Sequence, residues 1–140
     1  MKKEKILVPL DGSECAENIL PRVETLATHL NAGISLLRVA FAHSFPGADP
    51  TEAEVAVVRE AEAYLQGVKG RLEAKGCEVD THVRYGDEAE EILAHSSHAD
   101  IDLIAMSTHG RSGVKRFLLG SVAEKIIRHA TKPIYLVRCT

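Results

Sequence analysis

Glycine, serine and basic side chains collect in residues 106–121, MSTHGRSGVKRFLLGS, a stretch without an acidic residue. Glycines let backbone N–H groups approach a ligand closely, and a helix that starts at Gly120 and Ser121 would add unpaired N–H groups. With mobile positive charge beside them, these groups could bind an anion such as phosphate. The pattern also fits a glycine-rich turn with a solvated basic rim and an ordinary capped helix. The glycines are Gly110, Gly113 and Gly120, and the basic residues are Arg111, Lys115 and Arg116.

A carboxylate follows the first apolar run of the chain, where Asp11 is succeeded by Gly12 and Ser13. At the tip of a strand, Asp11 could accept hydrogen bonds from ribose hydroxyls or hold a metal ion that bridges phosphates. It could equally cap the first helix together with Ser13. If the two strands before these loops are adjacent, both loops face one crevice, where open parallel sheets bind ligands.

Other chemical patterns are missing from the sequence. The glycine-rich stretch has no lysine between Gly120 and Ser121, so it is not a Walker A loop, and DGSECAEN is not a G-x-G-x-x-G fingerprint. No nucleophile–base pair, no paired carboxylates in a shared cleft and no metal-ligand spacing are expected. The histidines are scattered and are interpreted as surface residues, including His95 and His98 on one predicted helix.

The three cysteines, Cys15, Cys77 and Cys139, are widely spaced and form no C-x-x-C motif. An odd number at such distances argues against a disulfide framework or a zinc site. We therefore expect reduced, partly buried thiols.

Strand and helix patterns alternate along the chain. Short β-rich runs at 4–10, 34–40, 77–84, 101–106 and 133–138 are separated by helical periodicity at 14–30, 51–75, 87–98 and 121–130. Thr51, Asp87 and Ser121 each precede a glutamate by three residues, the spacing of a capping box. This alternation predicts an α/β fold, a Rossmann-like, doubly wound parallel sheet with helices on both faces.

Composition limits the protein class. A chain of 140 residues with 45% hydrophobic residues suits a single domain, and 4% aromatic residues predict an aliphatic core. A net charge of −3 argues against a nucleic-acid binder. No apolar stretch is long enough for a membrane span, and the first apolar run is too short for a signal peptide. We expect a cytoplasmic protein.

Three segments together resemble the universal stress protein family: VPLDGS near the start, MSTHGRSGVKRFLLGSVAEKI in the last third, and KPIYLVR at the end. The resemblance covers essentially the whole chain, 1–140, as one nucleotide-binding domain. Its most specific part is the family's motif G-x2-G-x9-G-[ST], which Gly110, Gly120 and Ser121 match. Ser107 stands where the motif has its first glycine.

The resemblance implies five parallel strands in the order 3-2-1-4-5 and bound ATP, with Mg or Mn. It places adenine between the ends of strands 1 and 2 and the phosphates over the glycine-rich loop. It also implies a homodimer through the last strand, by Ile134, Tyr135, Leu136 and Val137. With Arg111 of the basic loop, the predicted cofactor-binding residues are Pro9, Asp11, Val39, Met106, Ser107, His109, Gly110, Arg111, Gly120, Ser121 and Val122.

The function that this resemblance implies is a cytosolic, dimeric, ATP-binding regulator of stress adaptation. Nucleotide would bind at the carboxyl ends of strands 1 and 4, and binding of a protein partner would respond to occupancy. Turnover is expected to be slow at most, because no residue is evidently placed to activate water. The alternatives are a slow adenine-nucleotide hydrolase and a nucleotide-free dimerisation or scaffold module.

Overall fold

The computed structural model describes residues 3–42, 46–98, 100–108 and 120–139. Within these ranges the strands form one five-stranded sheet in which all neighbours are parallel, in the order β3-β2-β1-β4-β5. This confirms the predicted doubly wound α/β fold. The strands are β1 (Lys5–Pro9), β2 (Gly33–Ala40), β3 (Val79–Tyr85), β4 (Leu103–Thr108) and β5 (Ile134–Arg138).

Helices cover both faces of the sheet, because each parallel connection must cross over it. Alternate residues of β1 point to opposite faces, so Ile6 and Val8 lie in one apolar cluster and Leu7 in the other. The helices are α1 (Glu14–Glu17), α2 (Leu20–Leu30), α3 (Pro50–Glu73), α4 (Glu88–Ser96) and α5 (Ser121–His129). The first cluster includes residues of α2 and α3, and the second includes residues of α4 and α5.

The first helical segment is broken in two, and the predicted continuous helix over 14–30 is wrong. Helix α1 ends at Glu17, and α2 starts at Leu20 with Pro21 in its first turn. Proline has no N–H and its ring clashes with the carbonyl four residues earlier, so a helix cannot run through this position without distortion. The break leaves α1 as a short, separate turn next to the end of β1.

Two of the three predicted caps also differ. Helix α3 is capped by Asp49, whose side chain accepts from Thr51 N at 2.9 Å, because Pro50 takes the first helical position. Helix α5 has Gly120 at its N-cap without a side-chain hydrogen bond, so Ser121 is its first residue. Only the predicted cap of α4 is confirmed, since the side chain of Asp87 accepts from Glu90 N at 3.0 Å.

The cysteines correct another prediction. Cys15 and Cys139 form a disulfide, with their Cα atoms 5.3 Å apart, while Cys77 is free. Spacing along the sequence could not reveal this pair, because the two cysteines are 124 positions apart. In the fold α1 packs on β4, and β5 pairs with β4, so Cys15 and Cys139 meet at the carboxyl edge of the sheet.

No helix of the described ranges is long and apolar enough to cross a membrane.

Candidate functional site

A cleft opens at the carboxyl edge of the sheet, between the ends of β1 and β4. Connections from these two adjacent strands lead in opposite directions, which makes this the switch point where doubly wound folds bind ligands. Pro9, one of the lining residues, is the last residue of β1. The others come from the loop after β1, from α1 and α4, from the end of β4 and from α5. The lining residues are Pro9, Asp11, Ser13, Cys15, Ala16, Glu88, Ile92, Met106, Ser107, Val122 and Ala123.

The fold brings part of the predicted site together. Pro9, Asp11, Met106, Ser107 and Val122 all line the cleft, although they come from three distant parts of the sequence. The other predicted residues within the described ranges, Val39, Gly120 and Ser121, are not among its lining residues, and Val39 packs against the second core cluster. The predicted residues His109, Gly110 and Arg111 lie outside the described residues.

Asp11 does not cap α1 directly. Ser13 is the cap, since its Oγ accepts from Ala16 N at 3.0 Å. Asp11 Oδ1 accepts from Ser13 N at 2.9 Å and from Ser13 Oγ at 2.5 Å, so Asp11 holds the capping residue in place. The capping interpretation of Asp11 is therefore met in part, and its role as a ligand-binding carboxylate stays a prediction. The exposed carboxylate makes its hydrogen bonds through Oδ1, and none to Oδ2 is found among the described residues.

Gly12 lets the loop after β1 turn sharply over an arginine. Its φ is +88°, a conformation that favours glycine, and a Cβ there would lie 3.1 Å from Arg38 Nη1. The Arg38 guanidinium in turn lies 5.0 Å from the centre of the Tyr64 ring, a cation–π contact. The Tyr64 hydroxyl donates to Glu17 Oε2 at 2.5 Å. This stack of side chains supports the loop that carries Asp11.

Glu88 is a cleft residue that the sequence analysis missed. Burial, together with the carboxylates of Asp11 and Asp87, raises the pKa of its carboxyl, an effect that Arg38 partly opposes. Asp11 and Glu88 thus line one cleft, which corrects the expectation that no paired carboxylates would share one. The capping pattern at Asp87 predicted the start of α4, and Glu88 is the first residue after that cap. That position was the signal in the sequence from which Glu88 could have been found.

Ser107, which stands at the family's glycine position, has its hydroxyl committed. Its Oγ donates to the carbonyl of Ala16 at 3.3 Å and so links β4 to α1. The neighbouring Met106 is 6% exposed and packs in the second core cluster, and it also lines the cleft. The end of β4 therefore presents one apolar and one small polar residue to the cleft.

The start of α5 has the features of an anion site. Gly120 adopts a φ of +88°, and within the described residues no side chain caps the helix, so the N–H groups of the first turn have no side-chain acceptor there. These groups carry positive partial charge, and Val122 and Ala123 of this turn line the cleft. Anionic phosphates fit here, because the helix supplies donors that no described side chain uses.

A metal ion would have to be held mainly by the phosphates. Among the described residues no group of three or more His, Cys, Asp or Glu side chains could hold a metal ion. The cleft brings together only Asp11 and Glu88 as carboxylates. Mg²⁺ keeps several waters and commonly binds through one or two carboxylates plus substrate phosphates, so these residues fit a nucleotide-borne cation.

The histidines are more organised than the sequence suggested. The His95 ring lies between those of His82 and His98, with ring centres 4.8 and 5.6 Å away, tilted to the first and edge-on to the second. Burial, with smaller contributions from His82, Arg84 and His98, lowers the pKa of His95 to about 4. Arg84 Nη1 lies 3.3 Å from His95 Nδ1, where a neutral ring can accept. His95 is thus a partly buried neutral residue and not a plain surface histidine.

Comparison with known proteins places this geometry in a family. The model of the universal stress protein family matches residues 3–138. Universal stress protein MJ0531 of Methanocaldococcus jannaschii is 31% identical over 140 residues, which cover 96% of this chain and 82% of that protein. The solved structure of MJ0577 from the same organism superposes with a TM-score of 0.85 at 30% identity, covering 100% of this chain and 99% of the other.

A third similar structure carries a ligand. It is the universal stress protein of Archaeoglobus fulgidus in complex with dAMP, with a TM-score of 0.71, 22% identity, and coverage of 97% of this chain and 98% of that one. At that identity the similarity shows a shared fold. Because the family model matches nearly the whole length of this chain, the chain belongs to the universal stress protein family.

Proposed function

We propose that this protein binds ATP in the cleft between β1 and β4 and acts as a cytosolic regulator in stress adaptation. The observation that carries the proposal is the meeting of Asp11 and the start of α5, which no described side chain caps, at one cleft. A carboxylate and the N–H groups of a helix start suit the two polar parts of a nucleotide, its ribose and its phosphates. The dAMP complex of a protein with the same fold supports an adenine nucleotide as the ligand.

Each wall of the cleft has a separate task in this proposal. Ile92, Met106 and Val122 offer apolar surface to the base, and Asp11 Oδ2 accepts from a ribose hydroxyl. The N–H groups at the start of α5 donate to phosphate oxygens, with His109, Gly110, Arg111 and Gly120 of the glycine-rich loop beside them. A bound Mg or Mn ion would neutralise phosphate charge near Asp11.

Slow hydrolysis is the second candidate function, because Glu88 lines the same cleft with a raised carboxyl pKa. A carboxylate of raised pKa is a better proton acceptor for an attacking water than an ordinary one. Release of phosphate from ATP that disappears in Glu88→Gln would establish this activity. Intact ATP after hours of incubation would leave binding as the function.

The dimer is proposed to form through β5, which lies at one edge of the sheet. Its outer backbone edge is not paired by another described strand, and Leu136 is 36% exposed. An exposed apolar edge strand is suited to pairing with a second copy. We expect Leu136→Glu to shift the protein towards monomer in analytical ultracentrifugation, whereas an unchanged mass would place the interface elsewhere.

Binding is tested by mass spectrometry of nucleotide released from the purified protein, followed by calorimetric titration with Mg-ATP. The decisive variant is Val122→Glu, which places a negative charge in the cleft. Ile127→Glu is the matched control, because Ile127 lies on the same helix and is 41% exposed. We expect Val122→Glu to weaken ATP binding more than about 100-fold, since like charges across a contact cost several kcal/mol.

The control variant should bind ATP as the unmodified protein does. Thermal unfolding of both variants shows whether each is folded before the titration. Equal affinity in a folded Val122→Glu variant would contradict the site. If the unmodified protein contains no nucleotide and Mg-ATP does not raise its melting temperature, the scaffold function replaces this proposal.

A further inference from the structure

The disulfide lies at the cleft itself. Cys15 lines the cleft with Asp11 and Ser13, and its partner Cys139 directly follows β5, the proposed dimer strand. Both cysteines are partly exposed, so a reductant in solution can reach them. One covalent bond therefore joins the loop that carries Asp11 to the edge strand of the sheet.

Helix α1 has four residues, and none of them is buried. Noncovalent contacts tie its last two residues to the fold: Ala16 packs against the first core cluster, and Glu17 accepts from Tyr64 and pairs with Arg71 at 2.9 Å. The hydrogen bond between α1 and β4 that the described residues show runs from Ser107 Oγ to Ala16 O at 3.3 Å. A helix this short is marginal without tertiary support, so the disulfide at Cys15 adds to the support that Ala16 and Glu17 provide.

The other end of the bond is also attached to β4. The backbone N–H of Cys139 donates to Thr108 O at 3.2 Å, the same carbonyl that Cys15 Sγ contacts. Asn18 Nδ2, just beyond α1, lies 3.6 Å from Cys139 Sγ. The disulfide thus closes a compact junction of α1, β4 and β5 at the wall of the cleft.

We propose that the Cys15–Cys139 pair is a reversible redox site that sets the affinity of the cleft for nucleotide. The inference rests on the proposed function. In the oxidised form the bond fixes α1, and with it Ser13 and Asp11, so nucleotide meets a preorganised wall. In the reduced form α1 is held by its noncovalent contacts alone, so its amino-terminal part is less constrained, and part of the binding free energy is spent on ordering it.

The chemistry requires only a dithiol reductant. One thiolate of the reductant attacks a sulfur of the disulfide and forms a mixed disulfide, releasing the other cysteine as a thiolate. The second thiol of the reductant then displaces the protein sulfur, so two electrons and two protons reach Cys15 and Cys139 while the reductant becomes a disulfide. In a reducing compartment, protein disulfides that do occur are usually transient or redox-sensing.

Cys77 provides a control within the same chain. It is the free cysteine of the described residues and lines a different surface, together with Lys75 and Glu78. Burial, with a smaller effect of Glu24, raises the pKa of its thiol, which makes it a poorer nucleophile at neutral pH. Neither its position nor its reactivity connects it to the cleft.

The experiment measures ATP affinity by calorimetry for air-oxidised protein and for protein reduced with dithiothreitol, with the bond followed by alkylation and intact mass. We expect two alkylated cysteines to appear on reduction and ATP binding to weaken about tenfold. Cys139→Ser should bind like the reduced protein under both conditions, because it removes the bond without changing a lining residue. Cys77→Ser should respond to dithiothreitol as the unmodified protein does.

Three results would overturn the inference in distinguishable ways. Equal ATP affinity in both forms leaves the nucleotide site intact and removes the redox control. Alkylation of all three cysteines in oxidised protein shows that the pair does not form. Absence of ATP binding in both forms, with the bond present by mass, refutes the proposed function and with it the control of affinity.

Discussion

The amino ends and the carboxyl ends of the parallel strands, which form the amino edge and the carboxyl edge of the sheet, are built differently. At the amino edge the charges are paired: Lys5 Nζ lies 2.7 Å from Asp80 Oδ2, and Asp102 Oδ2 accepts from Lys5 N at 2.9 Å. Lys132 Nζ there donates to the carbonyls of His98 and Ile101 at 2.9 and 2.6 Å. At the carboxyl edge, Asp11 and Glu88 line a cleft, and no described side chain caps the start of α5.

This contrast separates stability from function. Paired groups lower the free energy of the folded state, whereas a carboxylate that faces other carboxylates raises it. At the amino edge burial is the largest single effect on Asp80 and disfavours its charge, but the hydrogen bond and charge of Lys5, with contributions from Ser35 and His82, together outweigh burial and lower the pKa of that carboxyl. At the carboxyl edge the pKa of Glu88 is raised. The carboxyl edge is therefore the one we propose for the nucleotide, whose ribose hydroxyls and bound cation suit the carboxylates and whose phosphates suit the N–H groups at the start of α5.

The largest expected effect on stability lies at the amino edge. Asp102→Ala removes the acceptor of the Lys5 N–H at the start of β1 and should lower the free energy of unfolding by about 1–3 kcal/mol. Urea denaturation measures the change. Asp100→Ala is the control, because its carboxylate lies 3.8 Å from Lys5 Nζ and is 59% exposed, and it should cost less than about 1 kcal/mol. Equal losses in both variants would contradict a specific role for Asp102.

A smaller effect of opposite sign is expected at the carboxyl edge. The folded-state pKa of Glu88 lies above its unfolded value, so its ionisation destabilises the fold at pH 7. Glu88→Gln should therefore raise the free energy of unfolding at pH 7, by less than about 1 kcal/mol after solvent screening. The gain should shrink as the pH falls through the raised pKa and should vanish below the unfolded-state pKa. A variant that is less stable at pH 7 would show that Glu88 is satisfied in the fold.

Much of the fold was predictable because its signals are local. Apolar runs such as those around Leu7 and Ile104, alternating with helical periodicity, are enough to indicate a parallel sheet. Helix ends were less predictable, since Pro50 moved the cap of α3 to Asp49 and Pro21 broke the first helix. A capping pattern competes with proline geometry, and sequence spacing alone does not decide between them.

The site was predictable only where a family motif covers it. Asp11 was singled out by its place after the first apolar run and Val122 through the resemblance, and both line the cleft, whereas Glu88 and the Cys15–Cys139 bond were not predicted. Their positions depend on which helix starts and strand ends meet at the carboxyl edge. That meeting is a property of the three-dimensional arrangement, because the partners are separated by most of the chain.

The measurement that tests the account most directly is hydrogen–deuterium exchange with and without saturating Mg-ATP, compared between the two edges. We predict slower exchange in peptides that cover residues 9–18 and 120–123, at the cleft and the start of α5. Peptides at the amino edge, covering 76–82 and 130–135, should be unchanged. Protection at the amino edge, or no protection at the carboxyl edge with ATP bound, would contradict the assignment of the cleft as the nucleotide site.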